Sequence, residues 1–360
     1  MRIDVDKIAS AARHVVAHPR VVLGDEIPAA AGTVLAARVL DEKAVYNQLE
    51  DAYGRMRTVH RGDVVVGVLG AREALRGYAG VVPDSVRPGD ILHLLNLGGV
   101  IGRCASANPD VGAPTRVEVL GAVLRLADPA DRASGVPAST IPGPVPLADG
   151  LAPMPPLVLL AGTCMHAGKT AAACAVVRAA VARGAVVGAA KLTGVALRRD
   201  TLDMEDHGAS VALTFADAGL PSTTGDPAAV VRAAKGVLNA VAATRPDVIV
   251  AELGDGLLGR YGVRQILSDP EIAAAIGAIV VAAGDPVGAW GAVAVLRELG
   301  LDATVVTGPA TDNESGCAVI RDTAGVAAHN ARRDPEGLGA LVWAGLLDTA
   351  PPLVALAGAR

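Results

Sequence analysis

Gly168-Lys169-Thr170 closes a fourteen-residue stretch, LVLLAGTCMHAGKT over 157–170, whose residue types could hold a phosphate. Five apolar residues run into Gly162-Thr163, and an Ala-rich helical pattern follows Thr170. Strand, glycine-bounded loop and helix in that order make the P-loop arrangement, in which loop and helix N–H groups converge on an anion. Gly162, Thr163, His166, Ala167, Gly168, Lys169 and Thr170 would line the cup. Lys169 would reach the β- and γ-phosphates, and the Thr170 hydroxyl would ligate Mg²⁺. The common spacing asks for glycine at 163, where Thr163 stands with Gly162 one place earlier. The competing reading is a structural turn, since a bare GKT is weak without its flanking strand and helix.

Further chemistry falls at the ends of other apolar runs. Lys191-Leu192-Thr193-Gly194 places a lysine where it could neutralise charge developing in phosphoryl transfer, the alternative being a surface lysine. Asp200, Asp203, Glu205 and Asp206 cluster in one loop; Asp206, at the start of a helical pattern, is the choice for Mg²⁺, with a solvated acidic face as the alternative. The apolar run 248–251 ends in the acid Glu252, followed by Leu253-Gly254-Asp255-Gly256, so Glu252 is the better second carboxylate and Asp255 the next. Loops 283–286 and 307–313 would border base or substrate, although turn chemistry alone accounts for both.

These residues must be held by an α/β scaffold. From 157 onward, continuous Val/Ile/Leu/Ala runs (157–161, 186–191, 247–252, 277–283, 302–307) alternate with helical patterns (168–183, 206–218, 227–243, 263–275, 287–299, 321–332). That predicts a doubly wound parallel sheet, covered on both faces, with ligands at the carboxyl ends of its strands. Upstream, short apolar runs (33–40, 63–69, 91–95, 116–126) separated by Gly, Pro and Asp turns predict a smaller β-rich, barrel-like domain over 1–126. An amphipathic helix is expected over 3–17 and an inserted helix over 42–56. The Asn96–Gly102 stretch reads as a tight bend in a strand, the alternative being a backbone platform against a ligand or the neighbouring domain. Residues 127–156 hold eight prolines and read as a stiff linker to a nucleotide-binding domain over 157–360.

Composition narrows the function classes. The chain has 360 residues, 51% hydrophobic, with a net charge of −5 and no basic block, which argues against a nucleic-acid partner. One Phe, two Trp and four Tyr leave no stacking platform for single strands. No apolar run approaches the length of a membrane span. Four scattered cysteines without a CxxC pair point to a reducing cytoplasm.

With these residues assembled, the C-terminal half resembles the dethiobiotin synthetase-like group of P-loop enzymes, which includes the cobyrinic acid amide synthases. Gly162-Thr163 with Gly168-Lys169-Thr170 has that group's G-T-x-x-x-x-G-K-T length. Lys191–Gly194 resembles its K-P-x-x-[TS]-G strand end, with Leu192 for proline and one residue fewer. Glu252–Gly256 resembles its E-G-x-G-G, with Leu253 and Asp255 as departures. The resemblance implies an ATP- and Mg²⁺-dependent enzyme that activates a small-molecule carboxylate or amino acid by phosphoryl transfer, as a ligase, cyclase or kinase. Thr170, Asp206 and Glu252 would hold Mg²⁺, and Lys169, Lys191 and Glu252 would be the catalytic set. It also implies a homodimer, for which the Ala/Leu-rich stretch 337–347 could supply a surface. The alternative from another class is a nucleotide-driven switch or metal-delivery protein acting on a protein partner.

Overall fold

The computed structural model describes residues 1–126 and 135–349, in two compact units. The first comprises Met1–Pro146 together with two later excursions, Gly194–Arg199 and Phe215–Ala229; the second comprises Leu147–Thr193, Asp200–Thr214 and the chain from Val230 onward.

The first unit is built on an eleven-stranded sheet. Five of its strands close into a ring: Val100–Ala107 pairs with Ile91–Leu94, which pairs with Thr115–Arg125, then Val34–Val39, then Val64–Leu69, which returns in parallel to Val100–Ala107. Alternation along each strand sends Leu35, Ala37, Val65, Leu69, Val117 and Val119 into one apolar cluster and Val34, Ala36, Val66 and Val68 into another.

Two expected helices are absent here. The stretch 3–17 forms strands Arg2–Asp4 and Lys7–Ile8 and a 3₁₀ turn, Ser10–Ala12. Its apolar residues meet the core from an extended chain, because Arg2–Asp4 pairs with Arg20–Gly24 and Lys7–Ile8 pairs with Val64–Leu69. The stretch 42–56 holds no helix either: Gln48–Glu50 pairs with Met56–Thr58. Asp51 makes the turn between them, its Oδ1 accepting from the Tyr53 and Arg55 amides at 2.9 and 3.0 Å.

The 127–156 linker lies outside the described residues over 127–134, and 135–146 packs as part of the first unit. Val136–Pro137 pairs with Thr115–Arg125, and the Thr140 hydroxyl donates to the Gly219 carbonyl at 2.7 Å.

The excursion Gly194–Arg199 is clamped within this unit. Glu50, 0% exposed, accepts from the backbone N–H groups of Arg198 and Arg199 at 2.7 and 2.8 Å. Asn96 donates its amide to the Ala196 carbonyl at 2.7 Å. Gly98 lies so close that a Cβ there would sit 1.8 Å from the same oxygen. The Asn96–Gly99 stretch is therefore a platform for another segment of the chain.

The second unit is a seven-stranded parallel sheet with helices between its strands. In chain order it runs β1 (Leu157–Gly162), α1 (Lys169–Val181), β2 (Val187–Thr193), α2 (Arg199–Asp206), β3 (Val211–Thr214), α3 (Pro227–Ala242), β4 (Val248–Leu253), α4 (Val263–Leu267), α5 (Pro270–Ala275), β5 (Ile276–Ala282), α6 (Pro286–Glu298), β6 (Val305–Thr307), α7 (Glu314–Ala324), β7 (Ala327–Ala328) and α8 (Pro335–Thr349). The spatial order is β3-β2-β4-β1-β5-β6-β7, so β1 is central. Its residues and those of β2 and β4 are all buried, which explains the apolar runs that lead up to Lys191 and Glu252.

Three helix expectations fail here for local reasons. The helix expected over 206–218 ends at Asp206, with Gly208 at φ +104°, and 211–214 is an edge strand. Pro270, capped by Asp269, splits 263–275. Asn313 caps α7 through the Gly316 amide, and Gly325 at φ +67° ends it, so 321–332 is not one helix. The 337–347 stretch belongs to α8, which buries Leu338, Val342 and Leu346 in the unit's own core. Among the described residues no helix is long and apolar enough to cross a membrane.

Removing the Glu50 carboxylate leaves the Arg198 and Arg199 amides without their acceptor. Glu50→Ala is expected to cost about 3 kcal/mol, read as a lowered urea midpoint. A midpoint equal to that of the parent protein would mean that the clamp does not hold the segment.

Candidate nucleotide site

Every group of the candidate site lies at the carboxyl edge of the parallel sheet. β1 delivers the loop 163–168. Its start is fixed by the Thr163 amide, which donates to the Ala282 carbonyl at 3.0 Å, and by the Leu257 amide, which donates to the Gly162 carbonyl at 2.9 Å. Gly168 stands at the N-cap of α1 with φ +100°. Thirteen residues of α1 then direct their first amides back towards the loop. His166 also has positive φ, at +61°, and its side chain is exposed, so its place in the loop is that of a backbone contributor.

Lys169 is 5% exposed, and its ammonium donates to the Cys164 carbonyl at 2.9 Å, spanning the loop from within. Burial pushes its pKa below the ordinary lysine value, and the charge of Glu252 opposes that shift. The Thr170 hydroxyl donates to Glu252 Oε2 at 2.9 Å. Glu252 is 3% exposed at the end of β4. Burial raises its pKa first and the charge of Asp200 raises it further, while Lys191 and Lys169 draw it down. Lys191 lies directly beside Glu252 in the β2–β4 register. It is buried rather than superficial, and it forms an ion pair with Asp200 in the first turn of α2.

Four residues from three separate segments, Lys169, Thr170, Lys191 and Glu252, are thus brought into one charged cluster. Asp206 is placed differently from its expected position: it closes α2 instead of opening a helix, and it is exposed. The acid of that segment that joins the cluster is Asp200. The helix start at Arg199 was the missed signal, because the first turn of α2 faces the end of β2 and its last turn does not carry the pairing acid. Asp255 is also buried, at φ +69°, and its charge acts on Lys169.

The opposite side of the loop is bordered by the ends of β5 and β6. Asp285 caps α6, accepting from the Gly288 amide at 2.9 Å. Gly308 follows β6 at φ +92°, and a Cβ there would sit 2.3 Å from the Ala167 carbonyl oxygen and 2.7 Å from that of Ala283. Only glycine fits against the phosphate loop at this point.

The donor set suits a hard divalent ion. Thr170 and Glu252 present oxygen atoms side by side, as Mg²⁺ sites with one or two carboxylates do when phosphate supplies the remaining ligands. Among the described residues no group of three or more His, Cys, Asp and Glu side chains forms a metal site by itself.

No protein-family model and no curated protein matches the chain. Solved structures similar to it include the signal recognition particle 54 kDa protein of Aeropyrum pernix in complex with GDP, at 17% identity and a TM-score of 0.35, covering 55% of this chain and 50% of that one. A LAO/AO transport system kinase is similar at 16% identity and a TM-score of 0.37, covering 55% and 59%. A DUF1611 family protein of Anabaena variabilis is similar at 15% identity and a TM-score of 0.41, covering 57% and 64%. In each case the chain spans less than two thirds of the other structure's length. The comparisons do not show the dethiobiotin synthetase-like family. The second unit has a P-loop NTPase fold, given by its own strand, loop, helix and parallel sheet.

Gly308→Ala should displace the phosphate loop and destabilise the protein by roughly 2 kcal/mol or more, because both the φ and the contact are unfavourable to a side chain. Thermal unfolding beside the parent protein checks this; an unchanged transition would show that the two loops are not in contact.

Proposed function

We propose that the chain is an enzyme that binds a nucleoside triphosphate with Mg²⁺ over 162–170 and transfers its γ-phosphoryl group to a small-molecule carboxylate. The observation that carries this reading is the convergence of Lys169 and Lys191 with Thr170 and Glu252 beside an N-capping glycine loop. The carboxylate as acceptor follows from the resemblance at Gly162–Thr170, Lys191–Gly194 and Glu252–Gly256.

Loop and α1 amides bind the phosphates. Lys169 leaves the Cys164 carbonyl to meet the β- and γ-oxygens, a stronger partner for an ammonium than a neutral carbonyl. Lys191, oriented by Asp200, offsets charge that moves onto the leaving oxygen. Thr170 and Glu252 are the residues that would hold Mg²⁺, with Asp200 rather than Asp206 as the neighbouring acid. When bound, the ion neutralises the phosphate charge. The acceptor oxygen bonds to the γ-phosphorus as the bond to the β-phosphate oxygen breaks, leaving an acyl phosphate and a nucleoside diphosphate. The protein is read as acting on a small molecule, without nucleic acid or membrane, in a reducing cytoplasm and as a homodimer.

The test is triphosphate hydrolysis with a panel of carboxylic and amino acids, with hydroxylamine present to trap any acyl phosphate as a hydroxamate. Carboxylate-dependent phosphate release with hydroxamate is expected. Release that responds only to a protein partner would favour a switch instead. Lys169→Ala should lower turnover by roughly 100-fold or more, the scale of losing one preorganised charge-stabilising group, measured below the variant's own unfolding transition. Undiminished turnover in that variant would defeat the mechanism.

A further inference from the structure

A pocket within the first unit is lined by polar groups and by no charged side chain. It holds about 230 Å³ of empty space, mouth included, between the segment leading into Gln48–Glu50 and the strand ends at Leu94 and Thr115. Three carboxamides, from Asn47, Gln48 and Asn96, stand there with the Thr115 hydroxyl, the Tyr46 side chain and three aliphatic residues.

Two of these groups are unfavourable unless something meets them. Thr115 is 6% exposed, and its hydroxyl has no hydrogen-bonding partner among the described residues. A buried hydroxyl in a pocket wall is a donor and an acceptor without a mate. Tyr46 has φ +53°, in the left-handed region that a bulky residue rarely adopts. Its ring is nonetheless fixed by residues outside the lining. Arg72, 3% exposed, donates from Nη1 to the Tyr46 hydroxyl at 2.8 Å and to the Leu95 carbonyl, with its Cζ 5.8 Å from the Tyr46 ring centroid. Tyr78, fully buried, meets the same ring edge-on with centroids 5.4 Å apart. Asn96 is held at both ends of its amide, donating to the Ala196 carbonyl at 2.7 Å and accepting from the Val100 amide at 2.8 Å. One N–H and one lone pair of that amide stay uncommitted, and the whole amide of the exposed Gln48 does as well.

We propose that this pocket binds a small, uncharged, planar ring that carries an amide or lactam edge. A flat ring suits a fixed aromatic wall with aliphatic neighbours. An amide edge sets one donor beside one acceptor, the pair that carboxamides and a hydroxyl can answer. An ionised ligand would give up its water with no charged side chain in the lining to replace it. The site lies in the first unit and does not depend on the triphosphate reading of 162–170.

The experiment is titration of the full chain with nicotinamide and with 2-pyridone, read by calorimetry and by saturation-transfer NMR. Benzoate and cyclohexanecarboxamide serve as the charged and the non-planar counterparts. Both planar amides should bind saturably, roughly tenfold or more tightly than either counterpart. Thr115→Val keeps the shape of the side chain and should weaken both amides about tenfold. Gln48→Ala, at an exposed position, should weaken them about threefold, and it decides alone if the Thr115 variant does not fold. Wild type that binds neither amide saturably, its Thr115 hydroxyl then served by water alone, overturns the proposal. So does an affinity for benzoate or cyclohexanecarboxamide equal to that for nicotinamide, or an unchanged affinity in either folded variant.

Discussion

Glu252 ends a central strand with 3% of its surface exposed, flanked by an ammonium in register on the next strand and by the hydroxyl of the first helix. A carboxylate stripped of water at such a place is costly unless charge and hydrogen bonds replace the solvent. Lys169 and Thr170, both from the first turn of α1, and Lys191 from β2 supply that replacement. Removing one partner of a buried pair typically costs roughly 3–5 kcal/mol, because the remaining charge stays buried. The cluster therefore fixes the mutual positions of β1, β2, β4 and α1 and holds two cations beside the phosphate loop.

Much of the second unit was legible because its strands are buried on both faces. β1, β2, β4, β5 and β6 carry largely apolar runs, broken by charge only towards the carboxyl ends of β2 and β4, where Lys191 and Glu252 stand. The displaced glycine at 162 was also readable, since loop length survives the change. The failures have a common physical form. Residues 211–214 are too short for periodicity to separate strand from helix, and the deciding feature is the left-handed Gly208, which looks in sequence like any other glycine. At the N-terminus the 3.6-residue spacing of Ile3, Ile8, Ala12 and Val15 is coincidental: sheet partners far along the chain claim the segment. Asp206 was preferred over Asp200 for the same reason, because a helix boundary displaced by a few residues exchanges which acid stands in the first turn.

The two units also differ in how their polar groups are satisfied. In the first, an acid with no exposed surface is bound to backbone amides, a neutral arrangement of donors around a single charge. In the second, charges of both signs meet and remain near neutrality only as a set. The first is an anchor for the backbone of Arg198 and Arg199. The second is poised to exchange an internal partner for a phosphate oxygen.

The excursion Phe215–Ala229 has a consequence for biosynthesis. Phe215, the chain's single phenylalanine, is fully buried in the same apolar cluster as Val5, Val34, Val66 and Val100. The amino-terminal unit cannot finish its interior when its own strands leave the ribosome. Its last large side chain is translated only after β1, α1, β2 and α2 have emerged, so the earlier sheet must wait, partly unfilled, for a residue that arrives inside the other unit's sequence.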